Sequence, residues 1–311
     1  MSRPRVLITG GSGFIARALV PKLLDKADVT LLLLEEFGSG LPLPAPLGKL
    51  RPSYDVVYAD LRNYRLTARA VRQARPDRVI HLAAAGVSDP FLNANTAVSH
   101  NVTGTLNILQ ACFATDGLDV EQFIVARTPG ERTAMNVYAA SKAAAWAFSR
   151  MYARTSHWPI HGAMIFQAYG PNQPPHLLVP AALRAARAGE DLPMTSGAQE
   201  KDWIHIDDVV GGFLALLNAA MPPGETVELG SGRPASVRHV VEQIYEFVGR
   251  GGRPLVGALP DRPGEEPQQI ADAGRAADLI GWRAEISLDE GLRRLVDHRT
   301  ESEPLRPIKR A

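Results

Sequence analysis

The sequence has few cysteines and few aromatic residues, and its positive and negative charges nearly balance. Its 311 residues include one cysteine, Cys112, so an internal disulfide is excluded. Cys112 lies in a helical pattern of apolar residues, which predicts a small buried side chain. A single free cysteine also fits a reducing compartment, and we expect a cytoplasmic protein.

Charge and hydropathy exclude further classes. The 34 basic and 33 acidic residues give a net charge of +1, and neither sign clusters, so we expect neither nucleic acid nor a membrane surface as partner. No apolar run is long enough to cross a bilayer. The first strand pattern begins within a few residues of Met1, so we expect no signal peptide. The histidines lack the spacing of a metal site, and we expect no metal.

A glycine-rich turn between a strand and a helix is the most informative feature. Residues 5–9 (RVLIT) form a short apolar strand pattern, and an amphipathic helical pattern follows the turn. Glycines at 10 and 13 permit a tight turn whose amides a ligand can approach closely. The unpaired N–H groups of the helix suit a dinucleotide pyrophosphate. The residues predicted to bind this cofactor are Gly10, Ser12, Gly13, Phe14 and Ile15.

The second strand pattern, residues 28–36, ends in two acidic residues. A carboxylate there would accept the adenosine ribose hydroxyls and repel a 2′-phosphate, which favours NAD over NADP. We assign this role to Glu35. Glu36 stays an alternative, because the leucine run before it allows a shift of one residue. Ala16, at the third position of the glycine motif, still permits close packing of helix on strand.

Strand and helix patterns alternate through the first half of the chain. After residues 170–171 (GP) prolines cluster, strand patterns shorten and helical patterns are spaced irregularly. Alternation predicts an α/β fold, a Rossmann-type doubly wound parallel sheet with a smaller C-terminal substrate-binding lobe. We expect residues 1–168 to form the NAD-binding domain and residues 169–311 the lobe, with segments near 203–218 returning to the first domain. The predicted strands after the second are residues 55–59, 77–82, 122–126 and 160–166.

Tyr138 and Lys142 lie four residues apart in the helical pattern 137–154, which places them on one face, a turn apart. Tyrosine has a reference pKa of about 10, too high for a base at neutral pH. We expect a nearby cation, Lys142 and potentially an oxidised nicotinamide, to lower the pKa of Tyr138. Tyr138 could then take a proton from a sugar hydroxyl as a hydride leaves its carbon.

With these features together, the chain resembles the extended short-chain dehydrogenase/reductase family, in its nucleotide-sugar branch. The resemblance covers nearly the whole chain. It rests on residues 9–16 (TGGSGFIA), 60–62 (DLR), 81–84 (HLAA), 101–105 (NVTGT), 138–142 (YAASK), 168–173 (AYGPNQ), 201–209 (KDWIHIDDV), 262–265 (RPGE) and 279–282 (LIGW).

The resemblance implies further cofactor contacts. Asp60 and Leu61 would contact adenine, and Lys142 would hydrogen-bond the nicotinamide ribose. Asn101, also counted among the cofactor residues, is either a relay or a residue that bends its helix. The residues expected along the pyrophosphate and ribose are Leu82, Ala83 and Ala84.

The resemblance also implies a nucleotide-sugar substrate and a homodimer that pairs through the helices containing Asn101 and Tyr138. Arg262 matches the family's phosphate-binding arginine, whose planar fork suits a diphosphate. Lys201 stands where the family usually has arginine. Gln167 takes the place of an asparagine that meets the substrate.

The segment after the fifth strand departs from the family pattern. The usual catalytic serine is absent, and we expect Thr128 to replace it. Related 4,6-dehydratases carry Thr-Asp-Glu here, whereas Thr128 is followed by residues 129–130 (PG), with Glu131 displaced. This disfavours dehydration.

The expected activity is therefore an NAD-dependent nucleotide-sugar epimerase with Tyr138 as general base. Related ketoreductases often use NADPH and carry basic residues after the second strand, where this chain has Glu35 and Glu36. A 4-keto-6-deoxysugar ketoreductase is therefore the alternative. A 4,6-dehydratase and a non-catalytic dinucleotide-binding protein are lesser ones.

Overall fold

The computed structural model describes residues 3–87, 92–261 and 264–298. Thirteen strands are found in these ranges. In chain order they are β1 Arg5–Thr9, β2 Asp28–Leu33, β3 Asp55–Tyr58, β4 Arg78–His81, β5 Gln122–Arg127, β6 Ile160–Ile165, β7 Gln167–Tyr169, β8 Leu192–Pro193, β9 Glu200–His205, β10 Thr226–Leu229, β11 Pro234–Ser236, β12 Pro254–Leu255 and β13 Gln268–Gln269.

The same ranges contain twelve α-helices, a π-helix (Val98–Thr103) and a 3₁₀ turn (Pro129–Arg132). In chain order the α-helices are α1 Phe14–Leu23, α2 Glu35–Gly38, α3 Leu47–Leu50, α4 Tyr64–Ala74, α5 Ala94–Ala97, α6 Gly104–Phe113, α7 Val137–Thr155, α8 Leu178–Ala188, α9 Ile206–Asn218, α10 Val237–Val248, α11 Ala273–Ile280 and α12 Leu288–Asp297.

Seven parallel strands form the central sheet, in the order β10-β6-β5-β4-β1-β2-β3. Alternate residues of β1 face opposite layers of helices: Val6 and Ile8 pack in one apolar core and Leu7 in the other. Burial on both faces explains why the strands read as continuous apolar runs. The predicted α/β class with a doubly wound parallel sheet is confirmed.

Segments from the second half of the chain complete this sheet. β10 pairs with β6 as the seventh strand, and α9 packs in the same apolar core as α1. β9 instead belongs to a small sheet with β7, β11 and β13, which packs with α8, α10 and α12. A domain boundary at residue 168 stays a prediction. In the described part of the chain, none of the helices has the length and apolarity that a membrane span requires.

Candidate active site

The turn after β1 has the geometry that close approach of a ligand requires. Gly10 adopts φ +66°, and a Cβ there would lie 2.8 Å from the backbone N of Ala83, so only glycine fits. Gly13 has an ordinary φ of −74°. Gly13 therefore does not use the backbone freedom that glycine offers. Its lack of a side chain still matters, because a Cβ would lie 3.1 Å from the carbonyl oxygen of Gly10.

Helix α1 begins with unfilled hydrogen-bond donors. Gly13 is its N-cap, no side chain caps the first turn, and that turn contains no acidic residue. Its free amides and the positive end of the helix dipole therefore suit an anion. A cavity of about 440 Å³ opens at this point. Ten of the thirteen predicted cofactor residues line it: Gly10, Ser12, Gly13, Phe14, Ile15, Asp60, Leu61, Leu82, Ala83 and Ala84.

Three predicted cofactor residues, Glu35, Asn101 and Lys142, do not line this cavity. Glu35 is exposed because β2 ends at Leu33 and the chain turns into α2. Leu34 and Phe37 face the cavity on either side of Glu35. The strand pattern 28–36 therefore overshoots the observed strand by three residues.

Sequence reasoning missed several lining residues. Pro174 and Leu177 reach the cavity from the second half of the chain, and only the tertiary fold shows this. Arg62 also lines it and pairs with Asp60, with 2.5 Å between Nη2 and Oδ2. The hydrogen bond from Arg62 is the main cause that lowers the pKa of Asp60, so this carboxylate is charged at neutral pH. Residues 60–62 (DLR) contain both members of this ion pair, so the sequence could have indicated it.

A buried hydrogen-bond chain supports the floor of the cavity. The Ala83 N–H donates to Thr9 Oγ1 (3.2 Å), which lies 2.7 Å from His81 Nδ1. His81 Nε2 lies 2.9 Å from Thr105 Oγ1, and that hydroxyl donates to Asn101 O. This order assigns the Nε2–H tautomer to His81. Burial and the nearby Lys142 lower the pKa of His81 to about 3, so the ring is neutral.

Asn101 lies in the π-helix and is 1% exposed. Its Oδ1 accepts from Ala85 N (2.8 Å), and its Nδ2 donates to Ala85 O (2.9 Å) and Ser141 Oγ (2.8 Å). Both amide hydrogens are thus used within the protein. The structure shows Asn101 in a non-α segment of its helix, joining the loop after β4 to α7. A direct contact with the cofactor stays a prediction.

Tyr138 and Lys142 lie in the first turns of α7, which Asn136 caps by accepting from Ala139 N (2.9 Å). Lys142 is 3% exposed, and burial lowers its pKa to about 8. Burial and the Glu131 carboxylate raise the pKa of Tyr138. In the protein alone the lowering expected from Lys142 is therefore outweighed, and the lowering expected from an oxidised nicotinamide stays a prediction. Burial of the ring is the larger cause, and the buried Glu131 carboxylate is the second.

Thr128 and Glu131 bracket the 3₁₀ turn in a reciprocal capping arrangement. Glu131 Oε1 accepts from Thr128 N (2.9 Å), and Glu131 N donates to the carbonyl oxygen of Thr128 (3.1 Å). Glu131 Oε2 lies 2.7 Å from Arg127 Nη2. The Glu131 side chain is 1% exposed, so this carboxylate is bound within the protein.

The predicted substrate residues fall in different settings. Gln167 is exposed on β7. Lys201 is buried on β9, where its Nζ lies 3.3 Å from Gln269 Oε1 and 3.5 Å from Glu266 O. Lys201 therefore contacts the segment that follows Arg262, which itself lies outside the described residues. Among the described residues, no cluster of three or more histidine, cysteine or acidic side chains could hold a metal.

The fold and the cavity define a dinucleotide-binding enzyme with a Tyr-x-x-x-Lys pair. Residues 6–230 match the model of the NAD dependent epimerase/dehydratase family. The chain belongs to this family, which confirms the predicted resemblance at this level. NAD is the family's cofactor, and the glycine turn, the uncapped helix and the cavity fit it.

Relatives with different named activities match nearly the whole chain. The low-salt glycan biosynthesis protein Agl12 of Haloferax volcanii is 31% identical, over 94% of this chain and 97% of the relative. The probable dTDP-glucose 4,6-dehydratase of Sinorhizobium fredii is 28% identical, over 97% and 95%. The crystal structure of Thermus thermophilus UDP-glucose 4-epimerase with NAD superposes with a TM-score of 0.79, at 26% identity over 94% and 98%. The family is thus established, and the reaction stands between epimerisation and dehydration.

Proposed function

We propose that this enzyme is an NAD-dependent nucleotide-sugar epimerase in which Tyr138 moves the proton. The observation that carries the choice is the turn after β5. Pro129 and Gly130 follow Thr128 and offer no carboxylate, and the next acid, Glu131, is buried and bonded to Arg127 and Thr128. Elimination of water needs an acid and a base beside the sugar carbons. This turn supplies neither.

The residues that would hold NAD are those of the cavity. The amides of the glycine turn and of the α1 N-terminus would bind the pyrophosphate, and Asp60 would bind the adenine end. NAD, when bound, accepts a hydride and gives it back, and its oxidised form carries a positive charge that favours a phenolate. We assign the ribose carboxylate to Glu35, whose exposed side chain follows directly on cavity-lining Leu34.

Tyr138 handles the proton at its Oη. The protein's own groups keep Tyr138 as the neutral phenol, which is the form that donates a proton to a sugar carbonyl oxygen. In the opposite half-reaction a phenolate must accept the proton of a sugar hydroxyl. Lys142, with a pKa of about 8, is mostly protonated at pH 7 and is the cation that favours this phenolate. The Thr128 hydroxyl would donate to the same sugar oxygen.

The substrate would be a sugar linked to a nucleoside diphosphate. Lys201 and Arg262 supply positive charge for the phosphates, and Gln167 supplies an amide at the start of the second half of the chain. UDP- and dTDP-sugars are the first candidates to test, since a dTDP-glucose 4,6-dehydratase and a UDP-glucose 4-epimerase are among the proteins that this chain resembles.

Heavy water as solvent distinguishes the reactions. The protein, with NAD added, is incubated with UDP- and dTDP-hexoses, and products are analysed by NMR and mass spectrometry. Epimerisation returns the hydride to the carbon it left, so the product gains no carbon-bound deuterium. Elimination loses water and takes up deuterium at C5, and this outcome would overturn the proposal. Reduction would consume added NADH in proportion to product, and tight NAD binding without turnover would indicate a non-catalytic protein.

We further propose a cytoplasmic homodimer that pairs through the helices containing Asn101 and Tyr138. Ala144, Ala147 and Phe148 form an exposed apolar face on α7, with Phe148 44% exposed. Val98 on the π-helix is a further exposed apolar side chain, at 51%. Light scattering on the wild type should give twice the chain mass, and Phe148→Lys should give the monomer. A monomeric wild type would overturn this assignment.

A further inference from the structure

Arg127 and Glu131 form a buried ion pair at the carboxyl end of β5. The Arg127 Nε donates to Glu131 Oε2 at 2.8 Å, beside the 2.7 Å contact of Nη2, and the two side chains are 12% and 1% exposed. Burying two charges is costly unless their geometry is good and their remaining hydrogen-bond capacity is filled. Such a pair at the predicted site of proton transfer requires a physical explanation.

The surrounding strands are shaped to hold the Arg127 side chain. Its Nη1 donates to Thr226 Oγ1 on β10 at 2.8 Å, and its guanidinium carbon lies 4.4 Å from the centre of the Trp146 ring on α7. Gly162 on β6 leaves the space for it. A Cβ on Gly162 would lie 2.8 Å from Arg127 Cδ and 2.5 Å from Thr226 Oγ1. Arg127 is thus anchored by β10 and α7, in space that Gly162 on β6 leaves open.

Glu131 transmits this anchoring to the catalytic turn. Its Oε1 accepts from the backbone N–H of Thr128, and its own backbone N–H donates to the Thr128 carbonyl oxygen at 3.1 Å. A threonine hydroxyl has one hydrogen to donate and two lone pairs. Both backbone groups of Thr128 are bonded to Glu131, and the hydroxyl hydrogen is left to donate to another group. No residue within 3–87, 92–261 and 264–298 accepts it.

The same turn lies against the start of α7. A Cβ on Gly130 would lie 3.3 Å from Ala139 Cβ, next in sequence to Tyr138. The charged groups that act on Tyr138 and Lys142 are Glu131 from the turn and Arg127 from β5. The charge of Lys142 helps to lower the pKa of His81 on β4, and the His81 ring is itself neutral. Glu131 is therefore the negative charge that acts on both members of the pair.

We propose that Glu131, clamped by Arg127, is a positioning residue that orients the Thr128 hydroxyl as a donor and keeps a buried negative charge within range of Tyr138 and Lys142. This inference rests on the proposed function in its assignment of roles to Thr128 and Tyr138. It adds a residue pair that the Tyr-x-x-x-Lys motif does not contain. The Glu131 charge adds to burial in favouring the protonated phenol.

The direct test is the ionisation of Tyr138, which needs no turnover. Tyrosinate absorbance is titrated in the NAD-bound wild type and in NAD-bound Tyr138→Phe, because the oxidised cofactor favours the phenolate, and the difference isolates Tyr138. The same difference is then measured in a Glu131→Gln background. Removing the carboxylate should move the transition to lower pH. Glu225→Gln, which removes a carboxylate paired with Arg275, should leave it in place. An unmoved transition in Glu131→Gln overturns the proposal, even if turnover shows an epimerase.

Kinetics test the positioning of Thr128. In Glu131→Gln the side chain keeps an acceptor for the Thr128 N–H but loses the ion pair with Arg127. The kcat at pH 7 should fall about tenfold, with KM close to wild type. Displacement of a positioned group by about 1 Å can cost up to ~10²-fold in rate. The acid limb of the kcat profile should move to lower pH. A loss of kcat matched by an equal loss of folded protein, with an unchanged profile, would indicate a merely structural pair.

Double replacement covers the case in which single variants misfold. Arg127→Met leaves Glu131 buried without its partner and should lower the melting temperature strongly. Arg127→Met combined with Glu131→Gln should restore much of that loss, because no uncompensated charge remains. The double variant should still be slow and should show the lowered Tyr138 transition. Wild-type kcat and titration in the folded double variant would overturn the proposal.

Discussion

The side chain of Asn101 holds that of Ser141 across two helices, with 2.8 Å between Asn101 Nδ2 and Ser141 Oγ. The Ser141 hydroxyl in turn donates to the carbonyl oxygen of Tyr138 at 2.7 Å. The π-helix is therefore joined to the first turn of α7, where Tyr138 and Lys142 lie. The same Asn101 amide holds Ala85, which follows the cavity-lining alanines.

Asn101→Ala should weaken both the fold and the reaction. It leaves the Ala85 amide groups and Ser141 without their partner, and each buried unsatisfied group costs about 1–3 kcal/mol. We expect the free energy of unfolding to fall by about that amount and kcat to fall more than NAD affinity. Urea unfolding and calorimetric NAD binding measure the two effects. Asn218→Ala, which removes an exposed bond to Leu214 O, is the control and should change neither. Equal loss of kcat and NAD affinity would indicate a direct cofactor ligand instead.

Gly10→Ala should abolish NAD binding. Its Cβ would meet the backbone of Ala83 at 2.8 Å, and it would also adopt φ +66°. Gly117→Ala is a matched control because Gly117 has φ +79° and a Cβ there has no neighbour within 4 Å. The control should cost only the left-handed strain, about 1–2 kcal/mol, with NAD affinity intact. NAD binding by Gly10→Ala near the wild-type affinity would contradict the assigned role of the turn.

Lys142→Met should lose activity and gain stability. Burial lowers the Lys142 pKa from 10.5 to about 8, so at pH 7 the folded protein holds a buried charge at a cost of roughly 3 kcal/mol. Between pH 8 and 10.5 the unfolded chain binds more protons at this site than the folded one, so stability rises with pH there. The methionine variant should be more stable at pH 7 and lack that rise. Chemical unfolding at several pH values measures both, with exposed Lys22→Met as control. A less stable variant without the change in slope would count against this prediction.

His81 should make the fold sensitive to acid. Its folded pKa is about 3 against 6.5 for the ordinary ring, so its contribution to stability is complete above pH 6.5 and is lost as pH falls. The loss at pH 5 should be about 2 kcal/mol. His81→Gln should reduce the difference in unfolding free energy between pH 7 and pH 5. It should not abolish it, because burial also lowers the pKa of His161 and is the main cause that lowers that of His205. His239→Gln, at an exposed site, should keep the full difference.

Local pattern predicted the first half of the fold closely. The predicted strand 122–126 is observed as Gln122–Arg127, and the predicted helix 137–154 as Val137–Thr155. β10 was missed, since a strand of four residues after a proline-rich segment has too little alternation to recognise. The second strand was predicted too long, because the leucine run continues past Leu33, where β2 ends.

The amino-acid sequence by itself determined the glycine turn, the alternation of strands and helices that builds the parallel sheet, and the spacing of Tyr138 and Lys142. These depend on backbone freedom and on periodicity, which neighbouring residues encode. Only the tertiary structure decided that Glu131 acts on Tyr138 and that Arg127 is anchored to Thr226, 99 residues further along the chain. Burial and electrostatics decide ionisation, and both arise from residues that are distant in sequence and close in the fold.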